Sequence, residues 1–188
     1  CSLRASQGFI IDEHRPAHIP EYIPAFKLVD KLGDERINDD KLLEAATMSL
    51  CWSRAWASGG GHGTVYSVKP AQVSKTAQTG EYVGKGAFII RGKRQWYKDL
   101  DVKMGIGLVS INGVPLLMSG TPDRIKSICQ RYAIISPGIS KKDKLANRIY
   151  KNTGLMTDDI LSVLPGSSEI IEDKGIFSKI KEKIVEEE

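Results

Sequence analysis

The chain has 188 residues, with 27 Lys+Arg against 23 Asp+Glu and a formal net charge of +4; 41% of residues are hydrophobic and 27% charged. This is ordinary globular composition, which excludes disordered, collagen-like and coiled-coil classes for most of the chain. No apolar run approaches the ~20 residues that span a bilayer, and residues 1–30 lack the apolar stretch of a signal peptide, so no membrane partner is expected. The three cysteines, Cys1, Cys51 and Cys129, are odd in number and widely spaced, which argues against a disulfide framework or a zinc ribbon. A cytoplasmic location follows from that usage. Cys1 stands first in place of Met, and the expectation is a fragment of a longer polypeptide.

Pro16, Pro20 and Pro24 forbid a regular helix near the start, leaving Phe9–Ile11 and Ala25–Val29 as short strands. A helix is expected from about Asp39 to Ser58, capped by Asn38 or Asp39 and ended by Gly59. Leu42, Leu43, Ala46, Met48, Leu50, Cys51, Trp52, Ala55 and Trp56 cover more than one of its faces, as in a helix central to a core. The Gly59–Gly63 run is a connector that lacks the Gly-Lys-Ser/Thr of a phosphate loop. Thr64–Val68 and Ala87–Ile90 read as strands, separated by the long polar loop Gln72–Tyr82. Arg91-Gly92-Lys93-Arg94 then forms a basic turn, followed by Trp96 and Tyr97.

Val102–Ile111 and Val114–Ser119 flank Asn112-Gly113, the preferred two-residue hairpin turn. Gly105 and Gly107 within the first of these strands point to a bulge or a close backbone approach. Thr121 as cap and Pro122 at the first position open a helix whose inner face is Ile125, Ile128 and Cys129. Tyr132–Ser136 is a strand ended by Pro137-Gly138. Helices follow at Lys141–Lys151 and, capped by Thr157, at Thr157–Leu164, with a last strand at Ile170–Ile171. Residues 175–188 align Ile176, Phe177, Ile180 and Ile184 on one stripe. The fold class is α+β: a mixed, largely antiparallel sheet packed against a central apolar helix, with short C-terminal helices. One domain is expected over residues 1–172, including a small helical extension at 139–172, with an amphipathic tail at 173–188.

The charge is unevenly placed. Residues 69–98 hold Lys69, Lys75, Lys85, Arg91, Lys93, Arg94 and Lys98 with Glu81 as their one acid, a net +6; residues 1–68 sum to −2 and residues 99–188 to zero. A single-sign field of this kind favours an anionic partner. Within it, Lys75, Lys85, Arg91, Lys93 and Arg94 suit phosphates. Gln72, Ser74, Thr76 and Thr79 supply hydroxyl and amide donors, and Tyr82, Trp96 and Tyr97 supply faces for unpaired bases. No helix-in-groove motif carries the charge, which favours RNA over DNA. A catalytic constellation is not visible. Pro16 separates His14 from His18, Cys51 lies in an apolar helix, and Asp39-Asp40 and Asp158-Asp159 sit at helix starts where capping explains them. The expectation is a binding protein and not an enzyme, with no metal and no cofactor.

Several of these strings resemble a known family. They are Leu43-Glu44-Ala45-Ala46 through Cys51-Trp52-Ser53-Arg54-Ala55-Trp56, Gln72-Val73-Ser74-Lys75-Thr76-Ala77, Thr79-Gly80-Glu81-Tyr82 and Gly86-Ala87-Phe88-Ile89-Ile90-Arg91-Gly92-Lys93. Together they are similar to the NFACT-R domain, the C-terminal conserved domain of the NFACT proteins, relatives of the fibronectin-binding protein A family and of nuclear export mediator factor. Leu116–Gly120, Thr121-Pro122, Tyr132–Gly138 and Ser162–Gly166 resemble its archaeal branch, and the likeness covers about residues 18–172. The resemblance implies an RNA-binding module of ribosome-associated quality control. Its expected partners are rRNA or tRNA on the obstructed large ribosomal subunit and the other NFACT domains, in cis or in trans. The tRNA-handling residues of the family belong to an N-terminal domain outside this sequence. The family's His-Ala-Asp-x-His-Gly string corresponds here to His18-Ile19-Pro20-Glu21-Tyr22-Ile23, in which His18 alone is kept. The same residues allow two other readings. One is a protein-interaction module docking through the 175–188 helix; the other is a nucleic-acid-processing enzyme with a pocket near His18, His62 or Glu81.

Overall fold

A computed structural model describes residues 8–10, 39–68, 70–83 and 89–179. The expected strand Ala25–Val29, the cap Asn38, the histidines His14 and His18, Lys85, and the tail beyond Lys179 lie outside the described residues. The chain divides into two units, residues 1–102 and 103–188.

In the first unit, Asp39 and Asp40 stand at the positive end of helix α1 (Asp39–Cys51), whose Ala45, Ala46, Met48, Leu50 and Cys51 are buried. The single helix expected to run to Ser58 is broken. The Ser53 hydroxyl donates to the Leu50 carbonyl at 2.6 Å and accepts the Ala55 N–H at 3.1 Å. It thereby closes α1 and caps a second short helix, α2 (Arg54–Ser58). Gly59, at φ 72°, ends α2 as the sequence suggests. Trp56 is buried, whereas Leu43, expected among the inward residues, is exposed.

Strand β1 (Gly8–Ile10) pairs in parallel with β2 (His62–Val68). A 3₁₀ turn at Pro70–Gln72 leads into β3 (Val73–Ser74), which pairs antiparallel with β4 (Ile89–Ile90). Then comes β5 (Gln95–Asp101), a strand that sequence pattern did not reveal. It lies antiparallel to β2 and gives the sheet order β1-β2-β5. The register slips between Gly63 and Val65, so Lys98 and Asp99 together oppose Thr64. Asp99 adopts φ 55°, a left-handed conformation that occurs in one class of such bulges. Before the bulge Tyr97 faces inward, opposite buried Val65; after it Leu100 does, opposite Gly63. Gly63 is bare for a reason: a Cβ there would lie 2.6 Å from Leu50 of α1.

The second unit begins with the hairpin β6 (Met104–Ile111) and β7 (Val114–Gly120). Asn112 and Gly113 take φ 53° and 78°, the positive values that a type I′ turn needs at both positions. Helix α3 (Pro122–Ile128), strand β8 (Arg131–Ser140), helices α4 (Lys142–Thr153) and α5 (Thr157–Ser162) and strand β9 (Ser168–Lys174) complete it, in the antiparallel order β7-β6-β8-β9.

Of the two readings of Gly105 and Gly107, close approach is the one realised. The β6 ladders run without a slip. A Cβ at Gly105 would meet Ile125 at 2.7 Å, and one at Gly107 would meet the Cys129 sulfur at 2.3 Å. These bare positions let α3 lie against β6, where Ile125, Cys129, Tyr132 and Ile134 form a buried cluster. Burial also pushes the Cys129 thiol above its ordinary pKa. Three local expectations are corrected. Pro137-Gly138 does not end β8, because the Gly138 N–H bonds the Ser167 carbonyl at 3.2 Å while the ladder is interrupted there and resumes at Ser140. Pro122 opens α3, but the Thr121 side chain makes no capping bond. Met156, not Thr157, occupies the cap position of α5. Mixed helices and antiparallel sheets make the fold α+β.

Candidate nucleic-acid interface

The residues singled out for chemistry fall in the first unit, between Gln72 and Tyr97. Two local devices hold them. The first braces the polar loop against the basic turn. Gln72, half-buried in the 3₁₀ turn, donates its amide to the Arg91 carbonyl at 3.0 Å and to the Lys93 carbonyl at 2.8 Å. In return the Arg91 N–H donates to the Gln72 carbonyl at 2.9 Å. Gly92 bends at φ 86° between them, with the Gln72 amide close beneath it. The two-residue β3–β4 ladder continues this brace.

Within the loop the Ser74 hydroxyl accepts the Thr76 N–H at 3.0 Å, a hydroxyl-closed turn. Arg91 reaches across to the Thr76 carbonyl at 3.2 Å and pairs with the Glu81 carboxylate. The same Glu81 oxygen accepts the Gln78 N–H at 2.9 Å. That backbone donor, and then Arg91, hold the Glu81 carboxyl below its ordinary range. Arg91, read from sequence as a phosphate ligand, is therefore engaged within the protein. Thr79, Lys75, Thr76, Lys93 and Tyr82 are exposed, Tyr82 to 90%. Lys85 lies outside the described residues.

The second device is the outer face of the β2–β5 pair. Tyr66 and Trp96 are register partners, and their rings meet edge to face with centroids 5.0 Å apart and planes at 64°. The Arg94 guanidinium lies over the Tyr66 ring at 5.1 Å. Trp96 is 49% exposed. At the far end of the pair His62 Nδ1 and Asp101 Oδ1 are 2.9 Å apart, both side chains exposed. Tyr97, read together with Trp96 as a stacking candidate, faces the other side of the sheet, opposite Val65. Tyr66, which is not among the sequence candidates, shares this face with Trp96. Its signal is its register with Trp96, which a sequence does not print.

This part of the molecule offers exposed cations and an exposed aromatic on a framework fixed by hydrogen bonds. Among the described residues no three His, Cys, Asp or Glu side chains gather as a metal would require. No helix among them is long and apolar enough to cross a membrane.

Residues 11–92 match the family described as the NFACT protein RNA binding domain. The chain is 35% identical over 150 residues to the archaeal Rqc2 homolog aRqcH of Methanocaldococcus jannaschii, an alignment covering 78% of this chain and 22% of that protein. It is 41% identical over 75 residues to the ribosome quality control complex subunit NEMF of Homo sapiens, covering 40% of this chain and 7% of that protein. The NEMF homolog of Drosophila melanogaster matches to the same degree, with 8% of its length covered. The chain thus spans about a fifth of the archaeal relative and less than a tenth of the animal ones. No solved structure matches.

Proposed function

We propose, from the match of residues 11–92 to the NFACT protein RNA binding domain family, that this chain is the RNA-binding module of a ribosome-associated quality control factor. It docks on rRNA or tRNA of the obstructed large ribosomal subunit, in the cytoplasm, alongside the other NFACT domains. The observation that carries the reading is the braced basic turn. Gln72 fixes the carbonyls of Arg91 and Lys93, so the cations beside them project from an ordered backbone. Ordering before contact lowers the entropy cost of binding.

Lys75, Lys85, Lys93 and Arg94 neutralise phosphates in this reading, and Ser74, Thr76 and Thr79 lie beside the path of the sugar–phosphate chain. Arg91 reaches a phosphate only in exchange for Glu81. Four phosphate contacts to single-stranded RNA give a log–log slope of affinity against salt of about −2.8, and release of Arg91 from Glu81 extends it to about −3.5. Fluorescence anisotropy of the chain with a labelled RNA strand, repeated at several salt concentrations, measures this slope. Lys93→Glu flattens it by about 0.7 or more. Affinity that does not change between low and moderate salt rules the mechanism out.

A further inference from the structure

We infer that the outer face of the β2–β5 pair is a stacking platform for unpaired RNA bases. The inference rests on the RNA-binding reading above and narrows it to RNA whose bases are free of a partner strand. Tyr66 and Trp96 stand directly opposite each other across the ladder, so their rings share one face of the sheet. The edge-to-face contact at 5.0 Å holds the indole in place. A base arriving on it then does not have to order a freely rotating ring. Arg94 packs over Tyr66 at 5.1 Å and brings a guanidinium plane and a positive charge to the same face. It follows directly on Lys93, whose carbonyl is pinned by Gln72, so the platform adjoins the braced basic turn.

The competing account is that the aromatic pair only stiffens the sheet. That account explains the Tyr66–Trp96 contact, but it does not call for leaving half of an indole in water. Trp56 of the same unit is 2% exposed. An exposed aromatic face flanked by cations matches what single-stranded RNA presents, a π-face on every base and a charge on every linkage. In a duplex those faces are already stacked inside, and side chains cannot reach them.

The test uses the full chain and two probes, an adenine-rich single-stranded RNA octanucleotide and a fully paired RNA duplex. Trp96 is the most exposed of the three tryptophans: Trp52 is half-buried and Trp56 buried. Intrinsic fluorescence therefore reports on the platform. The single strand quenches it, the duplex does not, and Trp96→Phe removes the quenching. Trp96→Leu weakens single-strand binding by about tenfold, within the range for one stacked base, and leaves duplex binding unchanged. Arg94→Gln, which leaves the aromatic pair intact, also weakens the single strand more than the duplex and decides the matter if Trp96→Leu does not fold. Equal binding of both probes, with no quenching, with Trp96→Leu at wild-type affinity and with Arg94→Gln weakening both probes alike, overturns the inference. If Lys93→Glu still loses affinity in that case, the electrostatic reading stands alone. If Lys93→Glu binds normally as well, both fall.

Discussion

Replacing Gln72 by Leu tests how the basic turn is held. The substitution leaves a shorter apolar side chain and removes the amide that donates to the Arg91 and Lys93 carbonyls at 3.0 and 2.8 Å. The backbone bond from the Arg91 N–H to the Gln72 carbonyl and the β3–β4 pairing are left in place, so the loss is confined to the turn. A net contribution of roughly 0.5–1.5 kcal/mol applies to each bond, with the exposed bond to Lys93 at the low end, giving about 1.5 kcal/mol together. Local opening then becomes about tenfold more frequent. Native-state hydrogen exchange resolved by NMR reads this as about tenfold faster exchange at the Arg91 amide, whose N–H bonds the Gln72 carbonyl, with α1 unaffected. RNA affinity falls only as far as the opened turn becomes populated. Unchanged exchange at Arg91 in a folded Gln72→Leu chain would falsify the claim that this side chain fixes the turn.

Two further outcomes concern the second unit and acid stability. Gly107→Ala pushes a methyl into Cys129 and Ile125 and destabilises by about 2–3 kcal/mol, seen in thermal melts as a drop well beyond that of Gly113→Ala, which meets nothing within 4 Å and costs only its positive φ, about 1 kcal/mol. Equal melting temperatures for the two variants contradict the close-approach account. Glu172 is held below the ordinary glutamate value of 4.5 by its bonds from Lys126 and then Tyr132, and Glu81 by Gln78 and Arg91. A carboxylate with a depressed folded pKa contributes stability that is fully present above its unfolded value and lost as pH falls from there through the folded one. Denaturant melts therefore show stability declining below about pH 4.5, and Glu172→Gln makes the decline shallower. A slope identical to wild type in Glu172→Gln contradicts the assignment.

What the sequence discloses is what is decided locally. Asn112-Gly113 names its hairpin because both residues tolerate positive φ, whatever surrounds them. Gly59 ends a helix for the same reason. The break at Ser53 is less legible, since a mid-helix serine signals a cap only once its hydroxyl turns back to Leu50. Strand β5 is illegible because the bulge at Lys98–Asp99 reverses the in–out alternation within a seven-residue strand, so no period of two survives. The charge of the candidate site is plain from composition, but its wiring is not. The Glu81–Arg91 pair spans ten residues, the Gln72–Lys93 bond twenty-one, and Tyr66 meets Trp96 only through the ladder.

The bulge adds a residue to the solvent side of β5 without changing which of its flanking positions face in. Its extra residue means that Tyr97 before Lys98 and Leu100 after Asp99, three positions apart, both point into the same interior. Side chains on the solvent side can therefore diversify toward a ligand without disturbing the layer beneath. The same arithmetic keeps the extra residue local: with either Lys98 or Asp99 removed, one residue would face Thr64, and Tyr97 and Leu100 would still point inward with Trp96 outward.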